Sequence, residues 1–117
     1  MTRRSDRVAE AVQALVAELL LREIKDPRIG LVTVTAVTVT PDLRHARVFF
    51  SCLGDAARRA QSLKGLTSAA GFVRSQVARK LNLRVAPEIV FELDPSLEQA
   101  ERIARLLKET PPRDPES

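Results

Sequence analysis

Tryptophan and tyrosine are absent from this 117-residue chain, and four phenylalanines supply its entire 3% aromatic content. Recognition of nucleic-acid bases by stacking needs exposed rings, and only Phe49 is placed to offer one. Cysteine is almost missing too. The single Cys52 excludes an internal disulfide and a two-thiol metal site, and it suits a reducing compartment. Met1 to Asp6 is polar and the apolar positions beyond it are broken by Glu10, Gln13 and Glu18, so no secretory signal is expected. No apolar run approaches the roughly 18 residues that a membrane span requires. A soluble, cytoplasmic protein without membrane contact is expected.

Catalytic sets are as scarce. His45 is the only imidazole, and on a strand it points away from Cys52, which argues against a Cys/His pair. His45 reads as a surface residue and Cys52 as a small buried hydrophobe. There is no glycine-rich phosphate loop and no zinc or calcium ligand spacing. Asp26, Asp42 and Asp94 fall at turns or helix caps, where carboxylates satisfy backbone N–H groups, and Glu98, Glu101 and Glu109 fall on the solvated face of the last helix. Neither an enzyme nor a metal, cofactor or small-molecule site is expected.

What the chain does have is charge polarity. Between Arg44 and Arg84 stand nine Lys or Arg and one acid, Asp55, giving a segment charge of +8. Residues 1–43 balance, residues 85–117 carry −4, and the whole sums to +4. A concentrated positive segment favours a polyanion, because neutralising phosphates releases condensed counterions. Hydrophobic residues make up 44% of the chain, enough for one compact domain with a core of Val, Leu, Ile and Ala.

The periodicities divide that domain. Asp6 to Lys25 repeats Val8, Val12, Leu15 and Leu19 at helical spacing, with Ser5 or Asp6 as cap, and stops before Asp26-Pro27. Leu31 to Thr40 alternates Val and Thr but slips phase, which predicts a bulge near Ala36-Val37. A turn at Pro41-Asp42 returns Leu43 to Leu53 as a second strand with Ala46, Val48, Phe50 and Cys52 inward. Asp55 caps a helical stretch interrupted by small residues at Ala69, Ala70 and Gly71, where two short helices are expected to meet at a kink. Asn82 ends the second of them. Pro87 opens a third strand with Glu88, Val90 and Glu92 on an exposed face, and Asp94-Pro95 caps a last helix carrying Leu97, Ile103, Leu106 and Leu107. Residues 1–109 form the domain. The tail 110–117 has almost nothing to bury and is expected to be disordered. The fold class is α+β, in the order α-β-β-α-kink-α-β-α, with helices on one face of a three-stranded mixed sheet.

Several fragments, in order, resemble bacterial ribosome-binding factor A. They are Arg7-Val8, Glu23-Ile24-Lys25-Asp26-Pro27-Arg28-Ile29-Gly30, Val32-Thr33-Val34-Thr35, Asp42-Leu43, Ala46-Arg47-Val48, Ala70-Gly71-Phe72-Val73-Arg74, Leu83 to Phe91, and Asp94-Pro95-Ser96. The resemblance, covering about Arg7 to Leu107, implies a type II KH-like domain and a factor for assembly of the small (30S) subunit. It also implies partners in that subunit and its 16S rRNA, a role in late rRNA maturation and processing, and GTPase-assisted release. Ordinary KH modules clamp four nucleotides with a GXXG loop. Here Ala69-Ala70-Gly71 stands in that place and resembles the family's Ala-X-Gly kink, so recognition should shift to phosphates and shape.

The cations expected to meet phosphate are Arg58, Arg59 and Lys64 from the first part of the kinked helix, and Arg74, Arg79, Lys80 and Arg84 from the second part and its exit. Arg3, Arg4 and Arg7 are expected to add a flexible N-terminal extension. Arginine suits the task because its planar fork can grip phosphate bidentately. A monomeric, non-catalytic subunit-binding factor is the leading expectation. An adaptor for an acidic protein and an RNA-modifying enzyme are its rivals.

Overall fold

A computed structural model describes residues 3–109, apart from the side chains of Leu97, Glu98 and Glu109. The expected tail, 110–117, lies outside the described residues. Three helices and three strands follow in the order α1 (Arg4–Arg22), β1 (Val32–Val39), β2 (His45–Cys52), α2 (Ala56–Lys80), β3 (Glu88–Leu93) and α3 (Pro95–Glu109).

The N-terminal arginines are not a loose extension. Arg3 is the N-cap of α1, and Arg4 and Arg7 stand on its first two turns. Neither Ser5 nor Asp6 is the N-cap residue, although Asp6 closes a capping box from the third helical position. Ser5 is buried within it, and the Asp6 carboxylate accepts the Arg3 N–H at 3.3 Å, placing negative charge at the helix N-terminus where the dipole favours it. The far end arrives earlier than Lys25 because the N–H groups of Glu23 and Ile24 both turn onto the Leu19 carbonyl, each at 2.8 Å. The buried stripe is the one the spacing predicts: Val12, Leu15, Val16 and Leu19.

β1 and β2 pair antiparallel, and β2 and β3 pair parallel, giving a mixed sheet in the order β1-β2-β3. The register of β1 shifts between Val34 and Ala36, so the inserted residue is Thr35, just ahead of the expected Ala36-Val37. A bulge reverses the alternation of everything beyond it. Val32 and Val34 before it, and Val37 and Val39 after it, therefore all pack against the core. On β2 the inward set is Ala46, Val48, Phe50 and Cys52, as the alternation predicts. α1 lies over β1 and α2 over β3, and between helices and sheet sit Phe50, Leu66, Val73, Val77, Ile89 and Phe91.

The split into two helices does not occur: α2 runs unbroken through Ala69, Ala70 and Gly71. Two alanines favour helix strongly, and a Cβ at Gly71 would meet nothing within 4 Å, so no neighbour forces a break there. The close approach expected of small residues occurs six positions earlier. A Cβ at Gly65 would stand 2.6 Å from Ile29 Cγ1, so the Asp26–Gly30 loop lies directly on α2. Ser62 fastens the same loop, its hydroxyl accepting the Gly30 N–H at 3.0 Å and reaching the Arg28 carbonyl at 3.4 Å.

α3 begins at Pro95 as expected, with the Asp94 carboxylate accepting the Ser96 N–H at 2.8 Å. It does not add a layer to the core. It touches the other elements only sparsely, and Ile103, Leu106 and Leu107 are 57%, 54% and 71% exposed.

Candidate nucleic-acid interface

The cations of the basic segment are distributed along α2, whose 25 residues span about 37 Å at ~1.5 Å per residue. Those at its start are engaged. The Arg58 side chain lies over the Gly30 and Gly54 backbone, close enough that a Cβ at Gly30 would stand 2.8 Å from its Nε. Arg59 faces Glu101 of α3 at 3.7 Å. Lys64 is exposed in mid-helix. Further along, the Arg74 guanidinium donates to the Ala86 carbonyl at 3.2 and 3.3 Å, tying α2 to the segment that leads into β3. Arg79 donates to Gln76 at 3.2 Å, and Lys80 is exposed at the helix end.

At that end three chain segments converge. Asn82, in the left-handed conformation with φ of 53°, turns the chain out of α2, and Leu83 N–H closes onto the Ala78 carbonyl at 2.9 Å. The β1–β2 turn is held by Asp42, whose carboxylate accepts the Thr40 hydroxyl at 2.6 Å and the Arg44 N–H at 3.0 Å. Leu43 beside it takes φ of 61°. The Glu88 N–H then donates to the Arg44 carbonyl at 2.8 Å, pinning the start of β3 to the start of β2. Together with the first turn of α1, these segments enclose a cleft of about 670 Å³ whose walls include Arg4, Arg44 and Arg84. A second, shallower concavity shares Arg4 and adds Arg7 and Leu81.

Arg4, Arg7, Arg44 and Arg84 take part in no ion pair and no side-chain hydrogen bond among the described residues. The acid in the cleft, Asp42, is committed to the turn. The Thr40 hydroxyl first, and then the Arg44 N–H, hold its carboxyl below the ordinary carboxylate value, so it is ionised near neutrality. Of the cations expected at the interface, the structure thus brings together Arg3, Arg4, Arg7, Arg79, Lys80 and Arg84 near one end. It sets Arg58, Arg59 and Lys64 apart from them. Arg44 was not singled out from the sequence, although its place two residues after the turn aspartate was the available signal.

The open face of the sheet is charge-paired rather than plainly acidic. Arg47 Nη2 lies 2.6 Å from Glu92 Oε2, and His45 Nδ1 lies 3.3 Å from Glu88 Oε2. Phe49, the one ring the sequence offers for stacking, is half-buried and already carries the Arg47 guanidinium 5.2 Å above it, whereas the exposed ring is Phe72 on α2. Cys52 is buried with its Sγ 3.2 Å from the Ser62 hydroxyl, far from His45 on the open face.

Residues 4–107 match the family profile described as Ribosome-binding factor A. The chain belongs to the ribosome-binding factor A family. Curated ribosome-binding factor A proteins of Geobacter metallireducens and Desulforamulus reducens are 48% and 49% identical to it over 109 residues. That alignment takes in 93% of this chain and 92% and 91% of theirs. Among solved structures, the solution structure of a Thermotoga maritima ribosome-binding factor A superposes with a TM-score of 0.69 at 36% identity. It covers 76% of this chain and 85% of that one. A homology model of the Thermus thermophilus ribosome-binding factor A, fitted into a cryo-electron-microscopy map of a 30S complex, superposes with a TM-score of 0.54 at 25% identity. There 73% of this chain and 93% of the other are covered. The ribosome-binding factor A match takes in every cation named above except Arg3. Among the described residues no helix is long and apolar enough to cross a membrane.

Proposed function

We propose that this chain is a cytoplasmic, monomeric, non-catalytic factor that binds the immature small ribosomal subunit and assists late folding and end-processing of 16S rRNA. The observation that carries the proposal is family membership over residues 4–107 in a chain with unpaired arginines gathered at one end. Physically, a protein that binds one rRNA arrangement better than another shifts the population towards it without breaking a bond. Departure then requires that maturation, or a GTPase acting on the complex, remove the favoured arrangement.

Phosphate rather than base contact fits the side chains present. The ring on the open face of the sheet, Phe49, is covered by Arg47, and no GXXG loop is available to wrap single-stranded RNA. Co-sedimentation tests the proposal. The chain is expected to travel with free small subunits and to be scarce on assembled ribosomes, and excess acidic polypeptide of matched charge should not displace it. Absence from small subunits at low salt, or displacement by the acidic polypeptide as readily as by 16S rRNA, would refute it.

A further inference from the structure

We infer that the cleft bounded by the start of α1, the β1–β2 turn and the α2–β3 connection is the principal rRNA-backbone site, with Arg4, Arg44 and Arg84 as its phosphate ligands. The inference rests on the function proposed above and names the site through which it works.

Four features of the cleft support this assignment. Its arginines come from three different segments: the Glu88 N–H to Arg44 carbonyl bond joins the β1–β2 turn to the α2–β3 connection, and α1 is held against the sheet by Val12, Leu15, Val16 and Leu19. Preorganised cations lose less freedom on binding than cations on a mobile arm. None of the three guanidiniums is engaged by a carboxylate among the described residues, unlike Arg28, Arg47 and Arg59. Volume is sufficient, since about 670 Å³ lies inside the roughly 300–1,000 Å³ range of clefts that enclose small ligands. Lastly, the walls contain no aromatic ring, only aliphatic Leu43, Leu83 and Val85 beside Asn82. Such walls can pack against sugar while the guanidinium forks take phosphate oxygens.

Asp42 sharpens the inference. Its carboxylate is the one negative charge in the cleft, and its turn bonds need only an acceptor oxygen. Asparagine can supply that oxygen without the charge. If phosphate enters here, Asp42→Asn should tighten binding, an effect that damage to the fold would not mimic.

The test measures affinity of the full chain for purified small subunits over a series of salt concentrations. It compares wild type, Arg44→Glu/Arg84→Glu, Arg59→Glu/Lys64→Glu and Asp42→Asn, with circular dichroism melts on each. The two double variants change net charge equally, so a difference between them reports position. The cleft pair is expected to lose at least ~10-fold in affinity and to flatten the salt dependence by about 1.5–2 in log–log slope, whereas the α2 pair should lose less than ~3-fold. Asp42→Asn should gain about 2- to 5-fold. Should the cleft pair unfold, Arg44→Gln/Arg84→Gln replaces it with the same ordering expected. Equal or greater loss in the α2 pair, or unchanged affinity in Asp42→Asn, overturns the inference while leaving subunit binding intact. Failure of the wild type to bind refutes the broader function instead.

Discussion

Two glycines on one helix have opposite meanings, and single substitutions separate them. Gly65 faces the Asp26–Gly30 loop, where an added Cβ would collide with Ile29 at 2.6 Å. Gly65→Ala should therefore destabilise the fold by about 1–3 kcal/mol, the usual range for overpacking. Gly71 faces open space in the middle of the same helix. Gly71→Ala should stabilise by about 0.5–1 kcal/mol, because alanine loses less backbone freedom on entering a helix. Chemical denaturation of the two variants checks both signs, and a stabilised Gly65→Ala would contradict the packing described. Sequence alone pointed to the wrong glycine. Ala69-Ala70-Gly71 is conspicuous as a cluster of small residues, whereas the need for Gly65 arises from a loop 35 positions away.

At the level of elements, three aspartates hold the joints. Asp26 is held below the ordinary carboxylate value of 3.8 by the Arg28 side chain, Asp42 by the Thr40 hydroxyl, and Asp94 by the Thr35 hydroxyl. A folded-state value below the unfolded one means that the folded chain binds protons less readily. The associated stability is then fully present above 3.8 and is lost as the pH falls through the lowered values. Thermal melts should be flat above about pH 5 and decline as the pH falls below the ordinary carboxylate value, less so in Asp94→Asn. These joints were legible beforehand, because Asp-Pro and Pro-Asp pairs carry their own turn and cap chemistry wherever they occur. The bulge was legible too, through the slipped valine alternation of β1. What escaped the periodicity was the continuity of α2. Local composition suggests an interruption at Ala69-Ala70-Gly71, but Leu66, Val73 and Val77 lie on one face of a single helix and are buried together.

For the molecule as a whole, the formal charge of the basic segment overstates what is available to a partner. Arg47 and Arg59 face carboxylates, Arg58 covers glycines and Arg74 braces a loop. The sequence reveals the excess of positive charge, but pairing depends on which chain passes beside which, and that is a property of the tertiary fold. α3 illustrates the same point in reverse. Its apolar stripe reads as core, yet Ile103, Leu106 and Leu107 remain exposed. Ile103→Gln/Leu107→Gln should therefore cost at most about 1 kcal/mol and should leave a cooperative melt. Loss of the cooperative transition would show that α3 belongs to the core after all.

The parallel pairing of β3 beside β2 has a further consequence during synthesis. A parallel neighbour must wait for its whole crossover, here all of α2, before it can add to the sheet. Arg4 leaves the ribosome first, Arg44 next and Arg84 late, and the bond that joins the segments of the last two belongs to Glu88. A nascent or prematurely stopped polypeptide therefore carries the arginines without the cavity. Only a nearly finished molecule can compete for its target.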